Sequence, residues 1–213
     1  MEPLAVVFGV CGAIWGLAAD RIAARWPAHE DGSVRRVDWR TPLVAICGAL
    51  ALAAVPVRFA DPAERLLFGA VFVAMIALFA TDLDQRLMPE VLNLSLIAVS
   101  AIALIWGGNS LVNRQAFWLP IVAAVAVPAF MYVLSLPFGE GAFGGGDVEF
   151  LFGAGLLVGA TRLVLAVFAG TLLMGAVTAA LLVTRRITLK SYIPFGPLLI
   201  VGVVWSVLLP ASS

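Results

Sequence analysis

Two carboxylates stand where carboxylates are costly. Asp147 follows three consecutive glycines, Gly144, Gly145 and Gly146, and opens an apolar run, while Asp82 lies near the end of another. An ionisable side chain beside a long apolar segment is a functional-site candidate. If Asp82 and Asp147 meet in space, they cannot both ionise easily, so the pair shares a proton and titrates as a unit. One carboxylate then acts as base toward water, and the other, protonated, polarises a carbonyl. That is peptide hydrolysis by an aspartate pair. The glycines suit it, because a backbone without side chains lets an extended peptide lie close.

Each residue also has a plainer reading. Asp82 marks the end of a helix and pairs with Arg86. Asp84, Gln85 and Arg86 are expected in solvent, and Pro89 fits the first turn of the following helix. Asp147 is a helix N-cap, a position that favours a carboxylate. Two other chemistries use the same groups. Asp82, Asp84, Glu90, Asp147 and Glu149 are an oxygen-rich set for Mg²⁺ or Mn²⁺. Intramembrane carboxylates also mark proton or solute pathways. Against transport stand the lack of a paired basic residue within any span and of a second broken helix in matching halves.

The elements that must position these groups are membrane helices. Of the 213 residues, 62% are hydrophobic and 12% charged, against about 45–50% and about 25% in soluble domains. Net charge is zero, and no basic tract interleaved with aromatics suggests nucleic acid as a partner. With two cysteines, Cys11 and Cys47, and one histidine, His29, a structural zinc site lacks its ligands. The cysteines read as buried free thiols rather than a disulfide. Glu2 precedes the first apolar run and Arg21 and Arg25 follow it, which predicts a retained first helix and not a cleaved signal peptide.

A span takes about 20 apolar residues. The sequence predicts eight, near 3–20, 42–60, 65–82, 90–107, 118–137, 148–160, 162–184 and 193–210, in a single all-α membrane domain over 1–213. The sixth and seventh divide near Gly159-Ala160-Thr161-Arg162. With alternating loops, nine Lys and Arg fall on one side and four on the other. The positive-inside rule then puts both termini outside the cytoplasm and both aspartates at its cytoplasmic face. The arginines of the polar loop 21–41 read first as ordinary positive-inside anchors, with attachment of the loop to the membrane surface as the alternative. Gly12-x-x-x-Gly16 and Gly155-x-x-x-Gly159 are expected to pack helices within the bundle.

At these residues the chain resembles the type IV prepilin peptidases, membrane aspartic proteases with a G-x-G-D motif. Gly144-Gly145-Gly146-Asp147 matches that motif. Asp82, seven residues before Pro89, is similar to the family's first-aspartate motif, and Asp84 lacks that spacing. Gly16 through Arg25-Trp26-Pro27 is similar to the end of the family's first helix. Tyr192-Ile193-Pro194-Phe195-Gly196-Pro197 is similar to the opening of its last. The resemblance implies Asp82 and Asp147 as catalytic pair, supported by Gly144, Gly145, Gly146, Pro89 and Glu149, with no cofactor and no metal. It implies a prepilin or pseudopilin precursor as partner, cut at the cytoplasmic face of the bacterial inner membrane just after a glycine. Replacing Asp84 is expected to be mild. The loop 21–41 has no cysteines where many members carry a C-x-x-C insert associated with N-methylation, which argues against that second activity. Glu149 and Glu90 replace the family's usual Lys and Asp or Asn. A catalytically divergent pilin-binding or assembly protein, or a small carboxylate-based transporter, are the alternatives.

Overall fold

The computed structural model describes residues 3–28, 32–138, 143–188 and 193–210. Glu2, His29 and Tyr192, named above, lie outside them. Apolar sequence with few breaks satisfies its backbone polar groups within each segment, and so becomes helix. Among the described residues seven α-helices result: α1 (Pro3–Ala23), α2 (Arg40–Arg58), α3 (Pro62–Gln85), α4 (Glu90–Trp106), α5 (Trp118–Ser135), α6 (Gly145–Val183) and α7 (Gly196–Leu208). Among the described residues there is no strand. Five helices, α1, α2, α3, α5 and α6, are long and apolar enough to cross a membrane, and α4 and α7 are shorter apolar helices.

The core is centred on α3, which packs against α1, α2, α4 and α7. Phe68, Phe72, Met75, Leu78 and Phe79 are buried along it, as suits a helix apolar on every side. Phe59 stacks on Phe68 with ring centroids 4.1 Å apart. The outer faces are apolar too: Val7, Ile14, Leu50, Leu66 and Ile105 are all more than half exposed. A soluble monomer rarely exposes so much contiguous apolar surface. Together with the long apolar helices, this describes a polytopic helical membrane protein.

The small-residue pairs pack inside the bundle. A Cβ on Gly12 would overlap the Gly48 carbonyl, and one on Gly16 would lie 2.6 Å from the Val44 oxygen, so α1 and α2 touch backbone to backbone. A Cβ on Gly155 would lie 2.6 Å from Ala124 Cα on α5. Gly159 differs from the expectation. It adopts φ 75°, ψ 176° and breaks α6, at the point where the sequence predicts two spans to divide. Before the break, Asn93 and Ile97 of α4 meet Gly146 and Gly153 in order, so the first half runs parallel to α4. After it, Arg162 meets Ser206, and Gly170 comes against Leu198 and Leu199, so the second half runs antiparallel to α7. Both α6 and α7 start at one cavity, where Gly146 and Gly196 lie, and Arg162 reaches the far end of α7, so the two halves run in opposite senses. Asn109, nearly buried, donates to the Leu157 carbonyl at 2.6 Å, occupying an acceptor beside the break.

Two local expectations are corrected. Both cysteines are free, but neither is buried as expected: Cys11 is exposed on the outside of α1 and Cys47 is partly exposed on α2. The loop arginines Arg35 and Arg40 do not simply face the surface. They turn inward onto carboxylates, and the Arg35 side chain is only 11% exposed.

Candidate active site

Asp82 is delivered by the last turn of α3. That helix starts with Asp61 accepting the Ala63 N–H at 3.0 Å and Pro62 in its first turn, and it ends at Arg86 in the left-handed region. The Arg86 N–H closes onto the Asp82 carbonyl at 2.9 Å. The Asp82 side chain is buried, and its Oδ2 has no hydrogen-bond partner among the described residues. Asp147 is delivered by the first turn of α6. It is not the N-cap, which is Gly144. It sits at the third helical position and reaches back, its carboxylate accepting the Gly144 N–H at 3.1 Å. This is the side-chain half of a capping box.

Asp82 and Asp147 line one cavity of about 170 Å³. Met88, Gly144, Gly145, Gly146, Phe195 and Gly196 line it with them. A larger cavity of about 780 Å³, around Gly159 and Arg162, has no acidic side chain in its wall. Of these two cavities, only the smaller has a pair of carboxylates in its wall.

The three glycines do different things. Gly145 and Gly146 are inside α6 and are not loop residues as the sequence reading had them. A Cβ on Gly146 would lie 2.9 Å from Met88 Cβ and 3.3 Å from the Met88 carbonyl, so this residue lets α6 close on the α3–α4 connection. A Cβ on Gly145 would meet nothing within 4 Å, and one on Gly144 would make only an ordinary 3.6 Å contact with Asp147.

Arg86 also lines the cavity, whereas Pro89, Glu149, Glu90, Asp84 and Gln85 stand outside it. Pro89 is buried and is the N-cap of α4, one residue before the turn expected for it. Glu149 accepts from Asn93 Nδ2 at 3.2 Å, and the same amide nitrogen donates to the Gly146 carbonyl at 3.1 Å. Glu90 is exposed. Asp84 and Gln85 are corrected. The Asp84 side chain is 1% exposed and paired with Arg35 and Arg40, and Gln85 donates to the Ala23 and Pro27 carbonyls, both at 2.8 Å. The five-acid oxygen site is thus not assembled: among the described residues no three acidic, histidine or cysteine side chains are placed to hold one metal ion.

Sequence reasoning missed two contributors. Asn93, fully buried, ties α4 to the start of α6. A lone asparagine at the polar end of a helix carries little signal. Gly196 lies against Asp82 so closely that a Cβ there would collide with the carboxylate and with Met88 Cε. Its signal was present in Pro194-Phe195-Gly196-Pro197, a turn-rich string that opens α7.

Residues 69–179 match the model of the type IV leader peptidase family. Over 176 residues the chain is 28% identical to a prepilin leader peptidase/N-methyltransferase of Pseudomonas putida, an alignment that takes in 79% of this chain and 58% of that relative. The chain thus spans well under two thirds of the curated relative it matches. No solved structure matches it.

Proposed function

The chain belongs to the type IV leader peptidase family, and from that premise we propose that it is an aspartic endopeptidase. It removes the leader of a type IV prepilin or pseudopilin precursor, using Asp82 and Asp147 as one acid–base unit. The observation that carries this reading is that two carboxylates on α3 and α6, distant in sequence, share one small cavity.

In this reading the ionised member of the pair takes a proton from water, and the protonated member hydrogen-bonds the scissile carbonyl oxygen. Water adds to the carbonyl carbon, giving a tetrahedral diol. The pair then returns a proton to the leaving amine as the C–N bond breaks. Asp147, already accepting the Gly144 N–H, is held in place. Asp82 Oδ2, buried without a hydrogen-bond partner, is an atom left for water or substrate. Gly144 and Gly145 present backbone without side chains at the cavity wall.

The finer topology belongs to the same proposal. Counting the two halves of α6 separately, the chain crosses the bacterial inner membrane eight times, with both termini outside the cytoplasm. The Lys and Arg distribution then sets the cavity at the cytoplasmic face, where a precursor's leader is presented. Methylation of the new N-terminus is not part of this reading, since the loop 21–41 holds no cysteine. Incubating the purified protein with a leader-bearing pilin precursor tests the proposal. A product shortened by the leader mass supports it, and an intact precursor contradicts it.

A further inference from the structure

Asp82 and Asp84 are two residues apart on one helix, so their side chains leave it about 200° apart, at about 100° per residue. Asp82 faces the cavity. Asp84 faces the other way, into a cluster built from the ends of α1 and α2 and the loop between them.

Arg35 is the hub of that cluster. It bonds Asp20 and, at 2.6 Å, Asp38, and it pairs with Asp84. Arg40 reaches Asp84 at 2.8 Å. Asp20, 1% exposed, is further held by Arg21 at 2.7 Å and by the Thr41 hydroxyl at 2.6 Å. Among the described residues three arginines thus face three aspartates. Burial works against the Arg35 charge, but its bond to Asp20 and its attraction to Asp84, Asp20 and Asp38 outweigh it, so its pKa lies above the ordinary arginine value. Gln85 adds its two bonds to the end of α1.

These contacts have one mechanical result. The last turn of α3 is gripped at Asp84, on the side away from the cavity, and a second time at Gln85. Its rotation about the helix axis, and so the aim of Asp82, is fixed by the loop. We propose that Arg35 is a positioning residue for the reaction: through Asp84 it holds the turn that presents the Asp82 carboxylate. The inference rests on the reading of Asp82 as a reacting group. It does not rest on stability alone, because without Arg35 each acid keeps a partner. Asp20 retains Arg21 and Thr41, and Asp84 retains Arg40.

The test compares wild type with Arg35→Gln, Asp84→Asn and the double variant in detergent, on a leader-bearing pilin precursor. It measures kcat and KM separately, together with the thermal unfolding midpoint. A misplacement of about 1 Å at a reacting group costs on the order of 100-fold. Each single variant is therefore expected to lose about 10- to 100-fold in kcat with KM within about two-fold, which for Asp84 replaces the mild effect expected of a solvated residue now that it is found paired, and the double variant to be no worse than the poorer single. Arg35→Lys, which keeps a charge that can reach one carboxylate, is expected to recover part of kcat and stands in should Arg35→Gln fail to insert. Variants that unfold at lower temperature but turn over at the wild-type kcat would overturn the proposal, as would losses that multiply in the double variant. Those outcomes leave leader cleavage itself intact. A wild type that cleaves nothing removes the reading of Asp82, and this inference falls with it.

Discussion

Gly196 of α7 lies so close to Asp82 of α3 that a single added methyl group would occupy the space of the carboxylate. Two helices far apart in sequence thus meet at the proposed reacting group, and the meeting tolerates only glycine. Gly196→Ala is expected to insert normally and to lose at least about 100-fold in kcat/KM, because Asp82 must rotate away or α7 must withdraw. Steady-state cleavage of a pilin precursor measures it. Wild-type kinetics in Gly196→Ala would show that the close contact has no part in the reaction.

The glycines before Asp147 are expected to separate sharply. Gly146→Ala pushes a Cβ to 2.9 Å from Met88, and overpacking of this kind costs about 1–3 kcal/mol. Gly145→Ala, with open space around it, is expected to retain activity within about three-fold and to gain slightly in helix propensity. Parallel activity and denaturation measurements on the two variants check the order, and Gly145→Ala as the worse of the pair would contradict it.

Asn93 is expected to matter more than Glu149. Its Nδ2 serves both the Gly146 carbonyl and Glu149 from a fully buried position. Asn93→Asp replaces that donor with an acceptor facing two acceptors, and is expected to cost about 1–3 kcal/mol. Glu149→Gln keeps an oxygen for the Asn93 donor and is expected to stay within about 0.5 kcal/mol. Chemical denaturation in detergent reads both. Equal effects would show that Asn93 carries no special burden.

Backbone contact between α1 and α2 depends on Gly48. A Cβ there would reach within 3.3 Å of the Gly12 carbonyl carbon and overlap its oxygen more closely still. Gly48→Val is expected to destabilise by at least about 1–3 kcal/mol, whereas Gly175→Ala, where a Cβ meets nothing within 4 Å, is expected to be neutral or to stabilise by up to about 1 kcal/mol. Thermal unfolding midpoints distinguish these outcomes.

The helices were legible in the sequence because apolar runs of span length have few alternatives: the predicted bounds of α1 to α5 fall within three residues of those observed. The break at Gly159 was legible from a short polar interruption, although the left-handed φ that makes it was not. Asp82 and Asp147 were legible because carboxylates next to apolar sequence are rare. What the sequence hid was partnership. Asp84 reads as a solvated helix end, since nothing local reveals that Arg35 and Arg40 fold back onto it. Gly196 reads as part of a turn, since close approach to a residue more than a hundred positions away leaves no local trace. Asn93 reads as a polar residue near a helix start, since its two acceptors lie on another helix.

The central claim is that Asp82 and Asp147 form one reacting unit, and mutant kinetics test it most directly. Asp82→Asn, Asp147→Asn and the double variant, each verified to insert, are incubated with a leader-bearing pilin precursor, and the products are identified by mass. Groups that act as a unit are strongly non-additive. Each single variant is expected to lose essentially all cleavage, and the double variant to be no slower than either. Substantial cleavage by either single variant, with the product cut at the same bond, would contradict the account.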